Sequence, residues 1–329
     1  MAILTLFGVL VFVFLLTNVL PGNPAQFRAG SFAPPETVRE LEIQMGLDKP
    51  LVVQFKNYLV QLTQGDLGTS WNTRRPVAED LSQRLPATLE LSIASFIIAV
   101  FIALPLGILA AAKKDSSIDH FYRVLTTLSV SLPIFWVATM LIYLFFYQLG
   151  WVAAPTGRLD IGLLPPTRIT GLYVLDSILA GNMETLVSAS RRLILPALSL
   201  SLPVIGSVAK MTRTSMLEVL QSDYIRTALS LGLSRNRTIV QDALQNALIP
   251  VITLLALVFG FLIAGNVIVE MIFAWPGIGH YALNAMVTKD FDGVRGFLLF
   301  VAAVYVVLNL TVDVLYGLID PRIRLSSHS

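Results

Sequence analysis

Apolar residues in this chain are gathered into long blocks. Six runs are free of charge: residues 1–20, 91–112, 124–150, 193–209, 243–269 and 296–312. The last extends to residue 319 if Asp313 is tolerated. A helix that crosses a bilayer takes roughly 20 mostly apolar residues. Lipid satisfies no backbone N–H or C=O, so such runs must close their hydrogen bonds internally as helices. Short segments of alternating polarity, which a barrel would show, are absent. The pattern therefore predicts an all-α polytopic membrane protein with six transmembrane helices. Prolines 105, 133, 196, 203 and 250 fall inside or at the ends of the runs, where neighbouring helices can re-satisfy the freed carbonyls.

The polar stretches divide the chain further. Residues 1–20 read as the first transmembrane helix rather than a signal peptide, because the run is long and has no basic start. Residues 21–89 form a polar segment with two short helices. "PPETVRELEIQM" starts on prolines and precedes Gly46, and "PLVVQFKNYLVQL" starts on Pro50 and stops before Gly65, the proline-first, glycine-last asymmetry of helices. Residues 90–319 hold the five remaining spans, and residues 320–329 form a tail.

Charge then orients the spans. The loop "KKDSSIDHFYR", 113–123, is short and basic, and short basic loops favour the cytoplasm. Lys210, Arg213, Arg226, Arg235 and Arg237 cluster in the next loop on that side, and Arg322 and Arg324 follow the last span. Both termini are expected inside and residues 21–89 outside. Arg191 and Arg192 oppose this rule, beside the outer end of span four.

Of 329 residues, 55% are hydrophobic and 13% charged, with no cysteine and a net charge of +2. Soluble domains carry about a quarter charged residues. The absence of cysteine excludes disulfides, thiolate nucleophiles and cysteine metal sites. No basic, aromatic-rich patch suggests nucleic acid. No G-x-x-x-x-G-K-[ST] run is present for binding ATP. His120, His280 and His328 are far apart in sequence, in loops or the tail, and offer no metal set. "GFLIAGNV", 260–267, reads as a helix-packing stretch.

One segment breaks the apolar pattern. Residues 223–250, inside a predicted cytoplasmic loop 213–250, place Tyr224, Ala228 and Leu231 at helical spacing, with Ile225 and Leu229 alongside. Gly232 follows, where helices often turn left-handed, and Ser234 can cap the next helix. That helix puts Ile239, Val240, Ala243, Leu244, Ala247 and Leu248 on one face. The expectation is helix, glycine corner, helix, then a membrane span. Such a hairpin either lies in the membrane interface or docks another protein.

"YIRTALSLGLSRNRTIVQDALQNALIP" resembles the cytoplasmic EAA loop of ABC-importer permeases, in the form found in dipeptide and oligopeptide permeases. Arg226, Thr227 and Ala228 fall on the Glu-Ala-Ala positions and Gly232 on the motif glycine; only Ala228 and Gly232 match the general motif. "MGLDKPLVVQFKNYLVQLTQGDLGTSW", "KMTRTSMLEVLQSDYIRTA", "ITGLYVLDSILAGN", "VEMIFAWPGIG" and "VDVLYGLIDPRIR" resemble further stretches of that subfamily, in order, over nearly the whole chain.

The resemblance implies a type I ABC-importer permease subunit in the bacterial inner membrane, non-catalytic and without a cofactor of its own. Its partners would be a second homologous permease, two ATPase subunits that use the ATP, and an external solute-binding protein. Tyr224, Arg226, Thr227, Ala228, Gly232, Leu233 and Ser234 would form the ATPase-coupling loop. The solute would be a peptide or peptide-like; nickel complexes and other small solutes remain open.

Two carboxylates near span ends, Glu270 and Asp313, are candidates for gating or interhelical contacts, or for simple pairing at an interface. In "MIFAWPGIG", Pro276, Gly277 and Gly279 read as a tight external turn. Arg74 and Arg75 read as solvated loop charges. A proton-coupled secondary transporter would show ionisable relays within its spans and paired repeats, and neither is evident. No nucleophile or metal arrangement supports an intramembrane enzyme.

Overall fold

The computed structural model describes residues 2–19, 23–30, 32–234, 237–264 and 266–319. Among these residues the protein is helical and without strands; Thr69 and Pro76 form an isolated bridge. The chain divides into two compact units. One holds residues 1–88 and 276–306, and the other residues 89–275 and 307–329.

The first unit begins with α1 (Ala2–Val19), α2 (Pro24–Ala29), α3 (Pro35–Met45) and α4 (Leu51–Thr63). Asn23 caps α2 by accepting from the Ala25 N–H. Gly46 closes α3 in the left-handed conformation at φ 69°, as its position after the periodic stretch predicted. α5 (Val77–Ala112) starts in this unit and continues into the other. α13 (Ile278–Val287) and the first part of α14 (Phe291–Ile319) complete the unit. Its core joins Val77 and Leu81 to Ile278, Tyr281, Ala282 and Phe297. Asp290, 1% exposed, accepts from the Gly293 N–H at the start of α14 and from the Ser70 hydroxyl.

The second unit contains α6 (Ser117–Ser131), α7 (Ile134–Gln148), α8 (Tyr173–Leu179), α9 (Met183–Leu220), α10 (Asp223–Ser230), α11 (Thr238–Ile263) and α12 (Val267–Ile272). α7 ends in a π-helical stretch over Ile142–Gln148, and α11 opens in one over Thr238–Ala243. α9 is central, packing against α6, α8 and α11. Pro196 and Pro203 both lie inside it.

Among the described residues, four helices are long and apolar enough to cross a membrane: Val77–Ala112, Met183–Leu220, Thr238–Ile263 and Phe291–Leu308. α6 and α7 make a fifth if taken together, but they meet at 105°. The run 124–150, expected as one span, is thus broken. Pro133 has no N–H and forces the residue before it out of the helical region, and Leu132 is extended at ψ 129°.

Other boundaries also move. At 1.5 Å per residue the 36-residue α5 and 38-residue α9 are about 54 and 57 Å long, well beyond a hydrocarbon core of about 30 Å. α5 takes in residues assigned to the polar segment. The basic loop after it shrinks to residues 113–116, so His120 lies on α6, and His280 on α13; neither is in a loop. Lys210 and Arg213, expected in a loop, continue α9. His328 lies outside the described residues.

Small residues allow close crossings in the second unit. A Cβ on Gly107 of α5 would lie 2.8 Å from the Ala209 carbonyl oxygen and 2.7 Å from Thr212 Cβ of α9. A Cβ on Gly260 of α11 would lie 2.6 Å from Leu308 Cδ1 of α14. Leucine tips rotate away, whereas a backbone oxygen cannot. Gly107→Ala should therefore lower stability by about 1–3 kcal/mol, the usual cost of overpacking, and Gly260→Ala by less. Melting curves of the two purified variants in one detergent check the order.

Candidate functional site

The expected corner is present, and its geometry follows from sequence. Ser222 is extended and Asp223 stands in the first turn of α10, where a negative charge complements the helix dipole. Ile225, 1% exposed, anchors the helix in a cluster with Ala111, Met216, Ile239, Ala243 and Ala247. At the other end the Leu233 N–H donates to the Ala228 carbonyl at 3.2 Å and the Gly232 N–H to the Leu229 carbonyl at 3.0 Å. These two bonds form a Schellman motif with Gly232 at C′. Its φ is +86°, a region that L side chains rarely adopt, and a Cβ there would meet nothing within 4 Å. Glycine is needed at this position for backbone conformation, not for space.

Beyond the corner, the Ser234 carbonyl accepts from the Thr238 N–H at 3.0 Å and hydroxyl at 3.2 Å. The sequence placed Ser234 as a cap, and it engages the next helix through this carbonyl. The π-helical turn that opens α11 is a device often found at functional sites. The Asn246 amide of α11 donates to the Tyr224 hydroxyl at 3.0 Å, tying the two arms together.

Tyr224, Arg226, Thr227, Gly232, Leu233 and Ser234 are exposed and Ala228 is half-buried. Of the apolar residues read at helical spacing over 224–231, only Ile225 is buried. Tyr224, Leu229 and Leu231 are 47%, 43% and 79% exposed, because the helix crosses the cluster on one side chain instead of lying along it. Arg226 pairs with Asp223 only at 3.8 Å in solvent, which adds little stability. Arg235 lies outside the described residues.

About three helical turns before α10, α9 is fastened to α6. Asp119 is fully buried. It accepts from Arg213 Nε at 2.7 Å and Nη2 at 2.8 Å, from Arg123 at 2.8 Å and from the Asp115 N–H at 3.1 Å. Charge-assisted, two-pronged bonds of this kind are strong and directional, so α9 delivers α10 in a fixed orientation. The sequence reading assigned Arg213 and Arg123 only to a charge count. Asp119 stands four residues before Arg123, a spacing legible in the sequence, but it lies 94 residues from Arg213, and no local pattern points to that pairing.

A second ion pair went unread for the same reason. Glu90 of α5 and Arg158 are 6% and 8% exposed. Arg158 donates to Glu90 from Nε at 3.1 Å and Nη2 at 2.6 Å, and to the Gly171 carbonyl at 2.8 Å. Its guanidinium lies 3.4 Å from the Tyr173 ring centroid. The second Glu90 oxygen accepts from the Val174 N–H at 2.7 Å. Arg192, which opposed the charge rule, is 6% exposed and pairs with Asp160 at 2.7 Å. Held by the Ser188 hydroxyl and then by Arg192, the Asp160 carboxyl lies below the usual carboxylate range.

The remaining candidates do not join the corner. Glu270 is fully buried on α12, not at the end of a long span, because the run 243–269 ends as a helix at Ile263. The turn that follows is made by Ala274, at φ 50°, with the Trp275 N–H donating to the Glu270 carbonyl at 2.7 Å. Gly277 is extended and Gly279 lies inside α13, so the expected Pro276–Gly279 turn is displaced. Arg74 and Arg75 are exposed. Asp313 lies on α14, with its side chain outside the described part.

Long apolar helices, one central helix packed against a pair bent at a proline, and a short exposed helix ending in a left-handed glycine define a polytopic membrane protein with an exposed two-armed corner. Comparison of sequences makes the class specific. Residues 103–325 match the family "binding-protein-dependent transport system inner membrane component" and residues 1–92 match its N-terminal counterpart. The chain belongs to this family of inner-membrane transport components. It is 44% identical to the probable D,D-dipeptide transport system permease protein of Escherichia coli, over 98% of this chain and 94% of that one. It is 41% identical to the dipeptide transport system permease protein of Alkalihalophilus pseudofirmus, over 97% and 95%. Against the di/tripeptide transport system permease protein of Pseudomonas aeruginosa it is again 41% identical, over 97% and 95%.

Proposed function

We propose that this chain is the permease subunit of an ATP-driven importer for dipeptides or similar short peptides. Relatives named for dipeptide transport, matched from end to end, carry the choice of solute. In this reading the chain forms half of the translocation path with a second, related permease. Two ATPase subunits supply the hydrolysis and an external binding protein delivers the solute. The exposed corner over Tyr224, Arg226, Thr227, Ala228, Gly232, Leu233 and Ser234 docks an ATPase. Its exposed apolar residues, rigid glycine turn and anchorage through Ile225 and Arg213 support that role.

The experiment is capture of the tagged chain, co-expressed with candidate ATPase and permease subunits, from mild detergent. An ATPase retained with wild-type chain and lost when Leu231 and Leu233 are both changed to glutamate supports the reading. Retention by the double variant removes the corner from it.

The proposed topology counts six spans, α1 and the bent α6–α7 pair included, with both termini cytoplasmic. Because the native chain has no cysteine, single cysteines report cleanly. Gln64→Cys in intact cells should react with an impermeant maleimide, and Ser234→Cys should react only after permeabilisation. The opposite labelling inverts the topology.

A further inference from the structure

Helix α4 belongs to the segment read as external, yet it shows three distinct sides. Its amides Gln54, Asn57 and Gln61 recur at helical spacing and line a polar cleft within the first unit. Phe55 and Tyr58 face α1. The Phe55 ring meets Phe14 at 5.1 Å and Phe7 at 6.3 Å, both edge-on, and Tyr58 lies 5.8 Å from Phe14. On the remaining side Val52, Lys56 and Val60 follow one another at four-residue steps, with Val53 beside them. All four are exposed, Val52 to 80%.

The place where α4 crosses α1 says what covers that side. At 1.5 Å per residue, Phe14 and Phe7 lie about 7.5 and 18 Å along the axis from Val19, the end of α1. The Phe55 ring is held between them. α1 is uncharged and apolar throughout, so in a bilayer these levels are hydrocarbon, where a soluble partner arriving from outside does not reach. The open face of α1 also runs on to α4. Phe7, Phe12 and Leu15 are exposed, and Phe7 is the ring that touches Phe55. Lys56 is the one charge on α4, and a lysine stem can lie along apolar surface while its ammonium reaches the headgroups. Amphipathic helices of this kind bed about 5–10 Å into the boundary between headgroups and acyl chains.

We propose that the Val52–Val60 face of α4 is a lipid-contact surface, bedded in the outer leaflet beside α1. Acyl chains cover the valines and Lys56 reaches a lipid phosphate, so this part of residues 21–89 anchors the segment to the membrane surface. The proposal rests on α1 crossing the bilayer with residues 21–89 outside.

The test places spin labels on single cysteines of the full-length chain in phospholipid nanodiscs and compares their collisions with oxygen, which enters lipid, and with a water-soluble nickel chelate. Val52→Cys and Val60→Cys sit at exposed positions. Phe12→Cys reports the open face of α1, and Gln64→Cys reports water. The oxygen-to-nickel ratio at residues 52 and 60 should match that at residue 12 and exceed that at residue 64 severalfold. Ratios at 52 and 60 equal to that at 64, with residue 12 still in lipid, overturn the proposal and leave α1 as a span. Labels at 52 and 60 shielded from both reagents show that protein, such as a second copy of the chain, covers the face, and also overturn it. A water-like ratio at residue 12 removes α1 from the spans, and the topology then fails together with the proposal.

Discussion

Gly232→Val should insert in the membrane and assemble with a partner permease, yet support uptake at no more than about a tenth of the wild-type rate. At φ +86°, with nothing within 4 Å of an added Cβ, the substitution brings strain without a clash. Holding a β-branched residue in that region costs on the order of 1–3 kcal/mol, a roughly 5- to 150-fold shift between corner conformations. The Schellman bonds from Gly232 and Leu233 break if the strain is relieved, and the arm carrying Leu233 and Ser234 then leaves α10. The clearest readout is hydrolysis by the assembled complex, which should no longer rise when loaded binding protein is added. Gly232→Asn, a residue that tolerates the left-handed region better, should recover part of the coupling. Full activity of Gly232→Val would show that the angle of this corner does not matter.

Arg158→Met should be the most damaging single change away from the corner. Removing one partner of a buried pair costs about 3–5 kcal/mol. Here it strips Glu90, 6% exposed, of both guanidinium bonds while the Val174 N–H still donates to it, and it frees the Gly171 carbonyl. The segment between α7 and α8 loses its tie to α5, although Asp176 still accepts from the N–H groups of Thr170 and Gly171, each at 2.8 Å. The expected result is a melting transition lowered by several degrees and faster proteolysis within residues 151–172. Glu90→Gln combined with Arg158→Met removes the stranded charge and should recover much of the loss. If the double variant is no more stable than Arg158→Met, the damage comes from lost packing on Tyr173 and not from an uncompensated carboxylate.

How far the sequence could be read depended on the range of the interaction. Helices ended by their own residues were legible: Gly46 after α3, Pro50 before α4, and Gly232 after α10 each act through a single backbone conformation. The all-helical class was legible too, because lipid makes a long apolar run decisive. The bend inside one span was not, since Pro133 turns one uncharged run through a right angle without altering its composition. Loop edges failed for a related reason. Helices α5 and α9 outrun the bilayer, so charged residues such as Lys210 and Arg213 that read as loop still belong to helices. The buried pairs were invisible: Glu90 and Arg158 are 68 residues apart, and each alone reads as a surface charge. Glu270 was misplaced because nothing in "GNVIVEM" announces that the long helix has already stopped.

The central claim is that this chain is a conduit whose work comes from ATPases docked at the Gly232 corner. Sealed vesicles carrying the complete complex, with ATP enclosed and binding protein outside, test it most directly through uptake of a labelled dipeptide. Uptake should require ATP and binding protein together, persist in the presence of a protonophore, and fail with Gly232→Val. Uptake driven by an imposed proton gradient without ATP, and abolished by the protonophore, would contradict it.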